Sequence, residues 1–328
     1  MLKNLKSPPK IHDAWDAFMN IVRRASLRKT INSLNLSEAE EVLKSKYKYV
    51  PGKPGRPPLP PIGMFLSFTI MFLRMESYRD YHAFLEKDNF WRRQLGFKQT
   101  PDIGSFSHFL NRIGLQTFEQ LFQSVVQQLI DEGFLNLHTV AQDGSILEGN
   151  RDDKEGGWGW DHIDEEYVYG YKIHVIVDVN TELPVALSVT RAGTHDSKEF
   201  QRLYSDIKSY NTCFPTRFYT GDKAFDSSSI RKTLFKDEVT PIIKASKTRI
   251  KPSYPVRFLK KYVKRVSVER FFSRLKEFLD LKKLNIYGKN NVLIYSYIII
   301  IGMLLMGYVN HCFGYSPRSV KTFLRKFT

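Results

Sequence analysis

The chain changes its hydrophobic periodicity near position 137, and the change separates two differently built regions. Between Ile62 and Glu132, apolar residues recur at the three- and four-residue spacing of amphipathic helices. From Leu137 onward, short runs rich in β-branched and aromatic residues alternate with helical segments. This order predicts a helical region followed by an α/β region in which helices flank a mixed sheet.

The strand pattern of the second region predicts a sheet with one early hairpin. Its β-rich runs cover 139–143, 171–178, 184–190, 217–222 and 239–243. Asn180-Thr181-Glu182 joins the second run to the third and is a hairpin signal. Helices are predicted over 196–210, 227–235 and 260–284.

Prolines and glycines mark the expected domain boundaries. The segment Pro51–Pro61 holds too many of both to continue a helix or a central strand, so it predicts a linker. We therefore expect a helical segment at 1–50, the linker at 51–61, a helical domain at 62–132, an α/β domain at 137–310 and a basic tail at 311–328.

Part of the helical domain is compatible with a helix-turn-helix. Thr100-Pro101-Asp102 favours the start of a helix that Gly114 ends, after another short helix at Asn89–Leu95. Its outward face would carry Ser105, Ser107, His108, Asn111 and Arg112. An ordinary helical bundle has the same pattern, so both interpretations stay open.

The charge balance indicates a polyanionic partner. The chain has 50 Lys+Arg against 34 Asp+Glu, a formal net charge of +16, and binding to phosphates would release condensed counterions. Its two cysteines, Cys213 and Cys312, have no zinc-site spacing and suit a reducing, cytoplasmic compartment. The first six residues lack the apolar core of a secretion signal.

One long apolar run has two interpretations. Val292–Val309 carries no charged residue and reaches the length at which a helix can span a membrane. A helix that is apolar on every side can equally form the buried centre of a large domain.

Two acids follow β-rich runs and precede turns. Asp143 stands before Gly144-Ser145, and Asp222 stands between Gly221 and Lys223. If their strands are neighbours, the carboxylates converge and need a cation, such as a pair of Mg²⁺ or Mn²⁺ ions. The ordinary alternative for each is an Asp that caps a turn.

A third acid belongs to a spaced set of charged and aromatic residues. Tyr262, Arg265, Glu269 and Lys276 are separated by three, four and seven positions, which predicts one stripe of a helix. Such a stripe suits a metal ligand beside phosphate-binding cations, although a solvated, salt-bridged helix has the same spacing. A basic stretch upstream, which includes Lys244, Lys247 and Arg249, is a candidate phosphate contact, with a solvated loop as the alternative.

Together these residues resemble the DDE transposases of prokaryotic insertion sequences, in particular the large group with the Tyr-Arg-Glu-Lys signature. The segments Gly170–His174, Gly193–Ser197 and Gly221–Asp226 are similar to stretches found there. Residues 55–114 resemble the helical N-terminal domain of the same enzymes.

The resemblance implies a ribonuclease H-like core: a mixed five-stranded sheet flanked by helices, preceded by the helical, DNA-binding domain. It implies that Asp143, Asp222 and Glu269 are catalytic and bind two Mg²⁺ or Mn²⁺ ions. Cleavage at the element's ends and joining to target DNA would follow, with Tyr262, Arg265 and Lys276 holding terminal phosphates. It also implies a homodimer on double-stranded DNA, a cytoplasmic, nucleoid-associated location and a core position for the apolar helix.

Some features depart from the resemblance or leave rivals open. Only 47 positions separate Asp222 from Glu269, so the β-rich insertion of some relatives is absent. We expect Trp158 and Trp160 to pack against the sheet edge, with stacking on a splayed base as the alternative. A nuclease without strand transfer and a catalytically inactive DNA-binding relative are the rival functions.

Overall fold

The computed structural model describes residues 37–47, 58–74, 76–162, 165–213, 215–245, 254–278, 284, 286–312 and 314–319. Helices occupy the region before position 137, as the periodicity predicts. They are α1 (Ser37–Tyr47), α2 (Pro61–Arg74), α3 (Tyr78–Lys87), α4 (Asn89–Gln94), α5 (Ile103–Ile113) and α6 (Leu115–Asp131).

Local sequence signals account for the ends of several of these helices. Ser77 caps α3 through a capping box with Asp80, in which each side chain binds the other residue's backbone N–H. Gly114 ends α5 with a φ of +74°, a left-handed conformation that glycine adopts without strain. Phe106, Phe109 and Ile113 form the buried face of α5.

A single mixed sheet follows the helices. Its strands are β1 (Thr139–Glu148), β2 (Gly157–Asp161), β3 (Glu166–Asp178), β4 (Leu183–Arg191), β5 (Phe218–Gly221) and β6 (Thr240–Ile243). β3 pairs antiparallel with both β1 and β4, β5 runs parallel to β1, and β6 runs parallel to β5. The expected five strands are present, and the short β2 pairs with the first residues of β3 as a sixth.

Helices flank this sheet. They are α7 (Phe200–Ser209), α8 (Ser228–Lys236), α9 (Val256–Tyr262), α10 (Val266–Phe278) and α11 (Lys289–Cys312). The sequence predicted one helix over 260–284, and this prediction is wrong. A turn of 3-10 helix at Val263–Arg265 separates α9 from α10, so the chain changes its helical winding just before Glu269.

The apolar segment 292–309 forms most of α11, which packs on α2, α6 and β4. By length and composition this helix could cross a membrane, yet 89% of its most apolar window is buried inside the structure. Ser296, also buried, donates its hydroxyl to the Val292 carbonyl at 2.8 Å, so its polar group is satisfied within the helix. α11 is therefore the core helix that joins the helical region to the sheet.

Because Ile300 is fully buried on α11, we expect Ile300→Ala to lower the free energy of unfolding by about 2–5 kcal/mol. Urea denaturation of the purified chain measures this change. Asn290→Ala, at an exposed position in the first turn of the same helix, should stay within about 0.5 kcal/mol of the parent. Equal, small effects of both substitutions would contradict the core role of α11.

Candidate active site

The pairing of β1 with β5 brings two of the candidate acids together. These strands run parallel, with Ala141 opposite Thr220. Asp143 and Asp222 each lie two residues beyond this pair and therefore stand at the same level of the sheet. Asp143 lies within β1, not at its end as the sequence suggested, because β1 continues to Glu148 along β3.

The surroundings of Asp143 disfavour its negative charge. Burial, with a smaller contribution from the nearby Asp222 carboxylate, raises the pKa of Asp143 to about 7, against the opposing effects of the Gly144 backbone N–H and Arg265. Gly144 donates that N–H to Asp143 Oδ1 at 2.9 Å. Asp222 accepts the backbone N–H of Ala224 at 2.7 Å, which holds its carboxylate at the start of a 3-10 turn. Two neighbouring acids in this setting need a cation.

Glu269 reaches the acids from α10, which packs on β1 and β3. Arg265 connects the acids: its guanidinium donates to Asp143 Oδ2 at 3.2 Å and also to Glu269 Oε1. Glu269 is exposed, whereas Arg265 and Asp143 are about one-fifth exposed. A positive charge thus already lies between two of the three carboxylates.

Tyr262 stands beside this group at the end of α9. Its ring stacks with Phe258 at 6.2 Å, and Lys244 Nζ lies 4.3 Å from the ring centroid. Burial raises the pKa of Tyr262, with Asp222 and Glu269 adding to the rise against the opposing charge of Arg265. Tyr262 is therefore near enough to Asp222 and Glu269 for their charges to act on it, and Lys244 lies against its ring.

The other predicted phosphate contacts are placed less closely. Lys276 lies near the end of α10, about two turns beyond Glu269, and is half-buried. Because Tyr262 and Arg265 precede α10, the four residues do not share one helix, and this correction follows from the 3-10 turn. Lys247 and Arg249 lie outside the described residues.

The acids suit a hard divalent cation by chemistry, although they are not yet arranged as a cage. Asp and Glu oxygens are the ligands that Mg²⁺ and Mn²⁺ prefer, and burial, with the neighbouring Asp222, disfavours the negative charge of Asp143 and so raises its pKa. In the described part of the chain, no group of three or more His, Cys, Asp or Glu side chains already surrounds one metal position. Arg265 occupies the space between Asp143 and Glu269.

A polar cluster lies beside Gly144, and the sequence did not show that Asp196 contacts Lys172 and His174, although these residues belong to two of the segments that resemble the family. Asp196 Oδ1 lies 3.1 Å from His174 Nδ1 and 3.5 Å from Lys172 Nζ. A Cβ at position 144 would lie only 2.1 Å from that Asp196 oxygen, so glycine is required for the close approach. The available signal was Lys172 and His174 at alternate positions of an otherwise apolar strand, which predicts two polar residues on one buried face.

The two tryptophans pack on tyrosines at the sheet edge, as expected, but about half of each side chain stays exposed. They lie on β2, where Trp158 is 52% and Trp160 42% exposed. Each pairs with a tyrosine of β3, Trp158 with Tyr169 and Trp160 with Tyr167, and the paired rings meet edge to face. Alternation along the strand directs the intervening Gly159 toward the backbone of residue 192, which leaves the aromatic face to solvent.

Comparison with known proteins finds transposases. The family model described as Transposase DDE domain matches residues 138–305, and Transposase domain (DUF772) matches residues 16–112. No curated protein matches the chain. Matching solved structures include a piggyBac transposase synaptic complex with hairpin DNA, with a TM-score of 0.47 and 11% identity over 93% of this chain and 79% of that one. Another is the catalytic domain of Mos1 mariner transposase, with a TM-score of 0.27 and 11% identity over 62% and 95%.

The described chain is a mixed sheet flanked by helices, with Asp143 and Asp222 beside neighbouring parallel strands and Glu269 on a flanking helix. The chain belongs to the DDE transposase family of insertion sequences, because the Transposase DDE domain model matches residues 138–305, about half of the chain. It is a DNA transposase, and it shares the family's action on DNA and dependence on divalent metal ions.

The raised pKa of Asp143 makes a prediction about stability without metal. A carboxyl group whose pKa rises from 3.8 to about 7 on folding stabilises the fold below pH 4, and this contribution is lost as pH rises through 7. Asp143→Asn does not titrate, so at pH 8 without metal it should be about 1–4 kcal/mol more stable than the parent. Urea denaturation between pH 4 and pH 8 measures the difference.

Asp237→Asn serves as the control. The pKa of Asp237 is lowered, chiefly by its hydrogen bond from Lys208, so removing that charge should not stabilise the protein at pH 8. A gap between Asp143→Asn and the parent that stays constant from pH 4 to pH 8 would contradict the assignment of the pKa to Asp143.

Proposed function

We propose that Asp143, Asp222 and Glu269 are the catalytic acids of this transposase and that they hold two Mg²⁺ ions, which Mn²⁺ can replace. The enzyme would cut at the ends of its insertion sequence and join those ends to target DNA. The observation that carries the proposal is the placement of the first two acids at one level of parallel strands, with Glu269 tied to Asp143 through Arg265.

The bound metals would activate the attacking oxygen and stabilise the leaving oxygen at phosphorus. The chain's own contribution is to supply and orient the ligands. The hydrogen bonds from Gly144 and Ala224 fix one oxygen each of Asp143 and Asp222. The other oxygen of Asp143 accepts from Arg265, so it would bind a metal only when Arg265 releases it. Burial around Asp143 excludes water that would compete for its oxygens. It also strengthens the charge interactions at the site.

Arg265 has a different role before and after DNA binds. In the metal-free site it neutralises Asp143 and Glu269. With metal ions held by these acids, the Arg265 guanidinium would be available to form paired hydrogen bonds with a DNA phosphate. We infer that this exchange couples the arrival of metal and DNA at the same acids.

Other cations would hold the DNA around the acids. Along the chain Tyr262 precedes Glu269 and Lys276 follows it by about two helical turns, and Lys244 Nζ lies over the Tyr262 ring. Burial and the like charges of Lys264 and Arg257 lower the pKa of Lys261, which indicates a concentration of positive charge along α9. Such a concentration suits a phosphate backbone, and Lys247 and Arg249 are proposed to extend it.

The helical region is proposed to recognise the element's ends. On α5, Ser107, His108, Asn111 and Arg112 are exposed, opposite the buried aromatic face, which supports a surface that contacts DNA. Activity on two ends at once calls for two copies of the chain, so we propose a homodimer on double-stranded DNA, in the cytoplasm and associated with the nucleoid.

The decisive experiment uses purified protein and DNA that carries the flanking ends of the protein's own gene. Wild type, Glu269→Gln and Glu166→Gln are incubated with Mg²⁺ or with EDTA, and gels resolve nicked, excised and joined products. We expect Mg²⁺-dependent cutting and joining by wild type and by Glu166→Gln, whose altered acid is exposed at the start of β3. Glu269→Gln should do neither, while still binding the DNA.

Each other outcome has a definite meaning. Cutting without joined products would favour a nuclease, and binding without cutting would indicate an inactive DNA-binding relative. Full cleavage by Glu269→Gln would remove Glu269 from the set of catalytic acids. Asp143→Asn and Asp222→Asn test the other two acids in the same way.

Removal of Arg265 should separate metal binding from catalysis. Because its charge competes for Asp143 and Glu269, Arg265→Gln should bind Mn²⁺ about 3- to 10-fold more tightly than wild type when DNA is absent. It should nevertheless cut more slowly, since a phosphate contact is lost. Paramagnetic resonance of free Mn²⁺ measures the binding, and Lys264→Gln, an exposed cation one residue away, is the control. Weaker Mn²⁺ binding by Arg265→Gln would contradict the proposed exchange.

A further inference from the structure

Glu182 is a buried acid in an unfavourable place. It lies in the connection between β3 and β4, its side chain is fully buried, and its φ is +57°. Residues other than glycine and asparagine pay conformational energy at such an angle. An unpaired carboxylate would also be costly to bury. Both costs indicate that the side chain itself has a function at this position.

The partners of Glu182 come mainly from one helix. On α10, Arg270 Nε donates to Glu182 Oε1 at 2.7 Å, and Arg274 Nη1 donates to Oε2 at 2.7 Å. Arg274 Nη2 also donates to the Glu182 backbone carbonyl at 2.9 Å. Burial acts to raise the pKa of Glu182, but the hydrogen bonds from Arg270 and Arg274 hold it below its ordinary value. The carboxylate is therefore ionised and binds two successive turns of α10.

The helix bound in this way is the one that carries Glu269. Glu269 and Arg270 are neighbours, and their side chains leave the helix about 100° apart, so Arg270 can bind Glu182 while Glu269 faces Asp143. Glu269 itself is exposed, and Arg265 is the partner that holds its carboxylate. The position of Glu269 therefore depends on the position of α10.

We propose that Glu182 is a positioning residue: by binding Arg270 and Arg274 it sets the rotation and axial position of α10, so that Glu269 can complete the metal site. This inference rests on the proposed role of Glu269. Like other groups that orient a metal ligand without touching the metal, the cluster would act on metal affinity through geometry.

A purely structural ion pair makes different predictions. Apolar residues of similar size often replace a buried ion pair without loss of stability, so stability alone does not account for a carboxylate at a strained angle. The two explanations also predict changes of opposite sign in metal affinity. Removing the positive charge of Arg270 beside Glu269 should, by charge alone, tighten the binding of a cation, whereas the loss of positioning should weaken it.

Two arginines provide a matched pair for the test. Arg270 and Arg318 both form ion pairs with Glu182 Oε1, and their side chains are 51% and 44% exposed. Arg270 belongs to α10, whereas Arg318 follows α11. Arg270→Gln and Arg318→Gln therefore remove the same charge from the same carboxylate, and only the first releases α10.

The experiment titrates Mn²⁺ into the full chain and follows free Mn²⁺ by paramagnetic resonance, alongside Mn²⁺-dependent cleavage of the end DNA. We expect Arg270→Gln to raise the half-saturating Mn²⁺ concentration about 10-fold and to slow cleavage, with partial recovery at high Mn²⁺. Arg318→Gln should bind Mn²⁺ within about twofold of wild type, as is typical of an exposed ion pair. Glu182→Gln should weaken Mn²⁺ binding at least as much as Arg270→Gln.

Unchanged or tighter Mn²⁺ binding by Arg270→Gln would overturn the proposal, as would an equal loss in Arg318→Gln. If Glu182→Gln does not fold, the two arginine variants decide, because both alter exposed side chains. Glu269→Gln distinguishes the two levels of inference. If it binds Mn²⁺ and cuts like wild type, the proposed site and the positioning role both fail. If it is inactive while Arg270→Gln behaves as wild type, only the positioning role fails.

Discussion

The parallel pairing of β1 with β5 is the constraint on which the rest of this structure depends. It sets Asp143 and Asp222 side by side at the sheet, where burial and mutual repulsion raise the pKa of Asp143 to about 7. Arg265 offsets part of this cost in the metal-free protein. A divalent cation would offset the repulsion between the two acids more completely. The strand pairing thus explains why acids in this arrangement need a metal ion.

α10 supplies the third acid, and the forces that hold it come from both sides of the helix. Val268 and Phe271 are fully buried where α10 packs on β1 and β3. Elsewhere on the same helix, Arg270 binds the buried carboxylate of Glu182 in the β3–β4 connection. Apolar packing is not directional, whereas the paired hydrogen bonds are, which is why the proposed positioning role falls on the ionic contact.

Much of the fold could be predicted from sequence because its signals are local, but several particulars could not. Capping, glycine turns and strand alternation predicted the helical region, the strands and the early hairpin. The continuation of β1 past Asp143 depends on its pairing with β3. In this part of the strand, the absence of a side chain at Gly144 leaves the space that the Asp196 carboxylate occupies. The break at Val263–Arg265 follows no proline or glycine.

The sequence by itself determined the class of fold, the three candidate acids, and the spacing of Tyr262, Arg265, Glu269 and Lys276 around the last of them. These follow from residue types and short-range periodicity, which the backbone geometry of helices and strands translates directly into position. Only the tertiary structure decided that Arg265 bridges two of the acids, that the tryptophans of β2 face solvent and that Glu182 binds α10. Such contacts join residues far apart in the chain, and long-range packing has no signature in local sequence.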